Sequence, residues 1–243
     1  MCGRFLLQTD PKTLRERFDA AVPEELAPRY NIAPGQPVLV IVHDGKRRRA
    51  GFVRWGLVPP WAEAPTARHQ LINARAETAA EKPAFRRAFL TRRCLIVADG
   101  YYEWSAEGGR KQPYCVRRRD GQPFAFAGLW EKWQGADGTT YTGCAILTTQ
   151  ANALTAPVHP RMPVILPPEG EALWLDRTVA DVERLQDLLR PYPSEELVCY
   201  PVSTRVNNAR YDAPDCAAPL LAPDRTARPV AAEAGEPAND PLP

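Results

Sequence analysis

The second residue of the chain is a cysteine, and its position permits chemistry that no internal cysteine offers. Removal of Met1 would leave Cys2 with a free α-amine beside its own thiol, a 1,2-aminothiol. The ordinary pKa values, about 8 for the amine and about 8.5 for the thiol, make both partly nucleophilic near neutral pH. An aldehyde that condenses with the amine gives a Schiff base, and the neighbouring thiol then closes a five-membered thiazolidine ring intramolecularly. A cysteine at position two also arises by chance, so other residues must decide between the two readings. Glu103 has a carboxyl suited to proton transfer, and its place between Tyr102 and Trp104 would tune it by partial desolvation. An exposed strand glutamate is the plain alternative. His159 lies between prolines ahead of MPVIL, where a shaped turn would aim its ring; an ordinary core or surface histidine is the alternative. His43, in a hairpin, and His69, in a polar loop, read as structural.

The elements that must position these groups are mostly strands. A short strand at 5–7 precedes DPKTLRERFDA, where Asp10 can cap a helix that has Pro11 at its first position. The proline-rich VPEELAPRYNIAPGQP reads as a loop without regular structure. VLVIVHDGKRRRAGFVRWGLVP reads as two strands joined by a turn at Asp44 and Gly45. WGLVPPWA and LINARAET read as extended segments lying across a core, and 82–91 as a helix with Pro83 at its first position. CLIVADGYYEW, PYCVRRR, PFAFAGLWEKW and TYTGCAILTT are β runs separated by the turn signals EGG, DG and GADG. TVADVERLQDLLR has the spacing of a surface helix, and VCYPVS reads as a last strand. The fold class is therefore α+β: one domain over 1–221, an antiparallel barrel-like β core with flanking helices. Residues 222–243, rich in proline, alanine and charge, read as a disordered tail.

Composition bounds the function. With 44% hydrophobic and 25% charged residues the chain matches an ordinary globular protein. The N-terminus lacks the pattern of a secretory signal and no stretch approaches a membrane span, so a cytoplasmic protein without a membrane partner is expected. Six cysteines without a CxxC pair argue against a metal site and a disulfide framework, and no cofactor is implied. A formal charge of +2 does not announce a nucleic-acid binder. Basic residues nonetheless cluster at 47–49, 86–87, 92–93 and 117–119, on phosphate-tracking or merely solvated faces.

MCGRF, YNIAPG, WGLVPPW, NARAET, DGYYEW and HPRMP, followed by VSTRVNNARYDAP, stand in one order, and this ordered set resembles the SOS-response-associated peptidase (SRAP) family over 1–220. The resemblance implies a compact α+β fold around a barrel-like core, with a basic groove for single-stranded DNA. It also implies a thiazolidine link between the N-terminal cysteine and the sugar of an abasic site, with DNA as partner and the chain a monomer. The peptidase of the family name is then the release of the protein's own initiator methionine. Carried over motif by motif, Cys2 is the nucleophile and Arg4 contacts phosphate. Asn73 positions the Cys2 amine or the sugar, Arg75 holds phosphate, Glu103 and His159 form an acid/base pair, and Arg161 is a further phosphate ligand. Either Lys82 or Arg86 fills one more basic contact after NARAET. Trp61, Trp104, Tyr101 and Pro34 could offer platforms for bases, although alternating aromatics are more often core, and the hydroxyls of Thr148 and Thr149 could reach phosphate, although strand threonines are equally at home without a function.

Three other classes compete. A glutamine amidotransferase also starts with MCG, but Arg4 and Phe5 follow here and no synthase domain receives ammonia. A cysteine-type peptidase acting on proteins would need no DNA. A non-catalytic single-strand binder would leave no covalent adduct.

Overall fold

The computed structural model describes residues 2–105 and 111–220; the expected tail at 222–243 lies outside the described residues. The chain opens with β1 (Arg4–Leu7), α1 (Pro11–Phe18), β2 (Arg29–Ile32), β3 (Pro37–His43) and β4 (Arg48–Trp55). Next come β5 (Asn73–Arg75), α2 (Ala76–Ala79), α3 (Arg86–Thr91), β6 (Arg93–Ala98), β7 (Gly100–Ser105) and β8 (Gln112–Arg118). The long strands β9 (Phe124–Gln134) and β10 (Thr140–Gln150) lead to β11 (Arg161–Pro163) and β12 (Ile165–Leu166). Helices α4 (Pro168–Leu175) and α5 (Val182–Gln186) and strand β13 (Leu197–Pro201) follow. None of the described helices is long and apolar enough to cross a membrane.

Strands β4, β3, β6 and β9 pair in series, and β10 pairs with both β9 and β4, so five strands close into a barrel. The expected barrel-like α+β core is therefore present. Its seam differs from the rest: β10 runs parallel to β4 there, with Gly143 opposite Arg54. A Cβ on Gly143 would lie 2.1 Å from the Gly56 carbonyl oxygen, so only glycine lets the two strands meet at this point. The short β5 continues the parallel arrangement, Asn73 opposite Ile146 and Arg75 opposite Thr148.

A second sheet, ordered β13-β8-β7-β1-β2, lies against the barrel. Phe5 joins the two, its ring 5.1 Å from that of Trp55 and 5.8 Å from that of Phe126, both edge to face. The run CLIVADGYYEW divides between the sheets. The chain leaves the barrel at Asp99, whose buried carboxylate accepts hydrogen bonds from the Gln8 and Thr9 amides and the Thr9 hydroxyl, so the bend is tied to the end of β1.

Several local expectations hold. Asp10 caps α1 by accepting from the Thr13 amide at 3.0 Å, with Pro11 at its start. The β3–β4 hairpin turns at Asp44 and Gly45. Others need correction. The proline-rich loop contains β2, because Arg29–Ile32 carry no proline and pair with β1, Ile32 opposite Phe5 and Arg29 opposite Leu7. The helix expected over 82–91 begins only at Arg86: the Lys82 carbonyl is taken by the Phe85 and Arg86 amides, which leaves Pro83 in a turn. The last residues of NARAET turn into α2 rather than staying extended. The surface helix of TVADVERLQDLLR shortens to five residues, and α4 has no counterpart in the sequence reading.

Candidate active site and nucleic-acid interface

Cys2 stands at the entry to β1, and the pairing of β1 with β7 decides its neighbours. Phe5 lies opposite Tyr101 and Arg4 opposite Tyr102, so Tyr101 and Glu103, two apart on β7, share the face that turns toward the barrel. Strict alternation would place Cys2 with Arg4 and Leu6 on the opposite face. Instead Cys2 joins the main core with Phe5 and Tyr101 while Leu6 and Tyr102 pack in a second cluster. The result is a fully buried Cys2 beside Glu103, itself only 5% exposed. An exposed strand glutamate is thereby ruled out. Burial first and the Glu103 carboxylate second push the Cys2 thiol far up, so the resting group is a neutral thiol. The same burial, with Cys2 and Glu103 close by, raises the Tyr101 hydroxyl.

Asn73 reaches Cys2 from β5. Its Nδ2 donates to the Cys2 carbonyl at 2.9 Å, and its Oδ1 is buried without a hydrogen-bond donor among the described residues. An amide that grips the Cys2 backbone and keeps one acceptor in reserve is suited to orienting a neighbouring donor. Asn73 also lines a cavity of about 630 Å³ with Trp61, Arg75, Lys82, Phe85 and Thr148. Trp61 is 65% exposed, a bare aromatic face on the rim. Lys82 lines this cavity and Arg86 does not, which separates the two candidates left by the sequence.

His159 and Arg161 flank the turn into β11. His159 Nδ1 lies 3.0 Å from the Arg161 amide nitrogen and 3.1 Å from the Arg161 carbonyl oxygen, so the ring is held against the backbone at the start of β11. Arg161 is held by Glu77 and by Thr148, whose hydroxyl lies 3.2 Å from the guanidinium. Thr149 is buried on the same strand. Arg4 faces away from this cavity. Its guanidinium donates to Asn31 Oδ1 at 2.8 Å and to the Val206 carbonyl at 2.7 Å, and lies 6.0 Å from the Trp104 ring. Trp104 in turn donates to Asn207 Oδ1 at 2.6 Å, and Arg4, Trp104, Lys111 and Asn207 line a separate hollow of about 370 Å³. Pro34 is exposed in the turn between β2 and β3 and lines neither.

A family model described as SOS response associated peptidase (SRAP) matches residues 1–209. The chain belongs to the SRAP family. Among SRAP relatives, abasic site processing protein YoqW of Bacillus subtilis (strain 168) is 43% identical over 219 residues, covering 88% of this chain and 98% of that protein. Abasic site processing protein YedK of Escherichia coli (strain K12) is 32% identical over 221 residues, covering 86% and 96%. A solved protein structure from Bacteroides thetaiotaomicron superposes with a TM-score of 0.80 at 26% identity, covering 90% of this chain and 100% of that one. One from Bordetella bronchiseptica gives 0.72 at 30%, covering 83% and 100%.

In this SRAP chain most of the motif residues thus fall into three groups, two of them linked. Cys2, Glu103 and Tyr101 meet under β1; Trp61, Asn73, Arg75 and Thr148 share the cavity; Arg4 and Trp104 share the second hollow. Asn73 joins the first group to the second, and Thr148 joins the second to Arg161. Sequence reasoning missed Asn31 and Glu77. Asn31 sits inside YNIAPG and Glu77 inside NARAET, so the motifs contained them, but only tertiary contacts reveal that each grips an arginine assigned to phosphate.

Proposed function

We propose that the chain, once the Met1–Cys2 peptide bond is hydrolysed by the protein itself, captures the aldehyde of an abasic site in single-stranded DNA as a thiazolidine on Cys2. The observation that carries this reading is the setting of Cys2: buried beside Glu103, with its carbonyl held by Asn73 at the edge of an open cavity. The abasic sugar rests mainly as a ring-closed hemiacetal. Glu103 and His159 serve as the acid and base that open it. The Cys2 amine adds to the freed aldehyde and loses water to form the Schiff base. The thiol then adds to the imine carbon while its proton passes to the ring nitrogen. One aldehyde and one aminothiol become one thiazolidine and one water, a redox-neutral balance. The amine acts first because the thiol is neutral at rest, and the short intramolecular closure tolerates a weak nucleophile.

Trp61 supplies a stacking face, and Arg75 and Lys82 on the cavity wall, with Arg161 beside Thr148, supply charge for the strand backbone. The names of the relatives, abasic site processing proteins, support the same substrate. Peptidase activity on other proteins fits less well, since a thiolate must stand ready at rest and burial beside Glu103 opposes it.

The test mixes mature protein with a single-stranded oligonucleotide carrying one abasic site and resolves the products on a denaturing gel. A retarded band that survives denaturation is expected, and both Cys2→Ala and protein retaining Met1 should lack it. Mature protein that leaves no such band would disprove the reading.

A further inference from the structure

The two arginines expected to hold phosphate beside Asn73 are not equally placed. Arg75 is exposed on the cavity wall, whereas Arg161 is already engaged by a carboxylate. Glu77 Oε1 lies 2.6 Å from Arg161 Nη1 and Oε2 lies 2.9 Å from Nη2, a two-pronged pairing that a phosphate makes with the same fork. Arg161 also acts on the Glu77 carboxyl most strongly, holding it below the usual carboxylate range, and Arg75 adds to that effect. Glu77 therefore sits in the combined field of both arginines. We propose that Glu77 occupies, in the DNA-free chain, the seat of a strand phosphate between Arg75 and Arg161, and that strand binding exchanges the carboxylate for the phosphate. This rests on the reading that single-stranded DNA lies along the cavity.

Two further features favour exchange over a permanent strut. The Glu77 side chain is 45% exposed and belongs to a four-residue helix at the end of β5, so it can swing into water without disturbing the core. Arg161 does not depend on Glu77 for its aim. Its Nη2 also donates to the Thr148 carbonyl at 2.6 Å and to the Thr148 hydroxyl at 3.2 Å, contacts that stay when the carboxylate leaves. Glu77 thus sets a threshold. An anion must offer better pairing than a carboxylate already in place, which screens isolated anions and admits a strand bound by other contacts as well.

The experiment measures binding of an intact single-stranded oligonucleotide, without an abasic site, by fluorescence anisotropy. Glu77→Gln should lower Kd about threefold at low salt, with the gain shrinking as salt rises. Glu77→Ser removes the charge without keeping the shape and should gain as well. Arg161→Gln should cost more affinity in the Glu77→Gln background than in the parent, because there the arginine has no carboxylate to give up. Unchanged or weaker binding in both Glu77 variants, with thermal melts confirming folded protein, would overturn the proposal, as would an equal cost of Arg161→Gln in both backgrounds. Crosslinking to the abasic oligonucleotide is measured alongside. Its absence in the parent counts against the proposed function, and its presence with no Glu77 effect counts against the exchange alone.

Discussion

Arg4 stands two residues after Cys2 and Arg75 two residues after Asn73, and the surroundings of these two arginines differ in kind. Arg4 is held between β2 and the C-terminal segment: Asn31, Val206 and Asn207 accept from its guanidinium, and Trp104 of β7 flanks it. Asn31 completes this clasp. Fully buried, it donates through Nδ2 to the carbonyls of Val206, Asn208 and Tyr211, while Asp212 accepts from its amide. Arg75 stands on an open wall next to an exposed Trp61. In the clasp, charge and hydrogen bonds are used to fasten the last part of the chain onto the strand that carries Cys2. On the wall they face solvent and are available to a ligand. Motifs of similar appearance are therefore saturated by the fold in one place and open to solvent in the other.

The comparison breaks most readily at Asn31. Asn31→Ala strips three backbone carbonyls and Arg4 of a partner and should cost about 3 kcal/mol, lowering Tm by roughly 10 °C. A melting temperature within about 2 °C of the parent would show that the clasp is not fastening the fold. Trp61→Ala tests the wall. It should leave Tm in place yet weaken single-strand binding about tenfold through the loss of one stacked base, as read by anisotropy. Unaltered affinity would remove Trp61 from the interface. The finest distinction is between the two arginines themselves. Arg75→Gln should lower affinity about threefold for any sequence, reduce the salt slope by about one and spare stability, whereas Arg4→Gln should lower Tm by several degrees. If the two substitutions behave alike, the division between clasp and wall fails.

Features written in short stretches of chain were legible. The Asp10–Pro11 helix start, the Asp44–Gly45 hairpin and the long β runs depend on residues within a few positions of one another. Strand β2 was hidden because the prolines of its segment flank rather than interrupt its four residues, and α3 was overextended because Pro83 suits a turn as well as a first helical position. In the candidate site, motifs named Cys2, Asn73, Glu103 and His159, and the structure brings Asn73 and Glu103 to Cys2. The saturation of Arg4 and Arg161 was not legible, since their partners lie 27 and 202 residues away for the one and 84 for the other.

By itself the sequence determined the reagent: a cysteine at position two carries amine and thiol together once Met1 is gone, and that is a property of covalent connectivity alone. It also determined the fold class, through the period and punctuation of its β runs. Only the tertiary structure decided that Cys2 leaves the face of Arg4 to lie beside Glu103, that Asn73 holds its carbonyl, and that Arg161 is occupied while Arg75 is open. These depend on strand register and on the approach of Gly143 to Gly56 at the barrel seam, which bring together segments far apart in the chain. Burial and hydrogen-bond saturation are properties of that assembled surface, and no local run of residues encodes them.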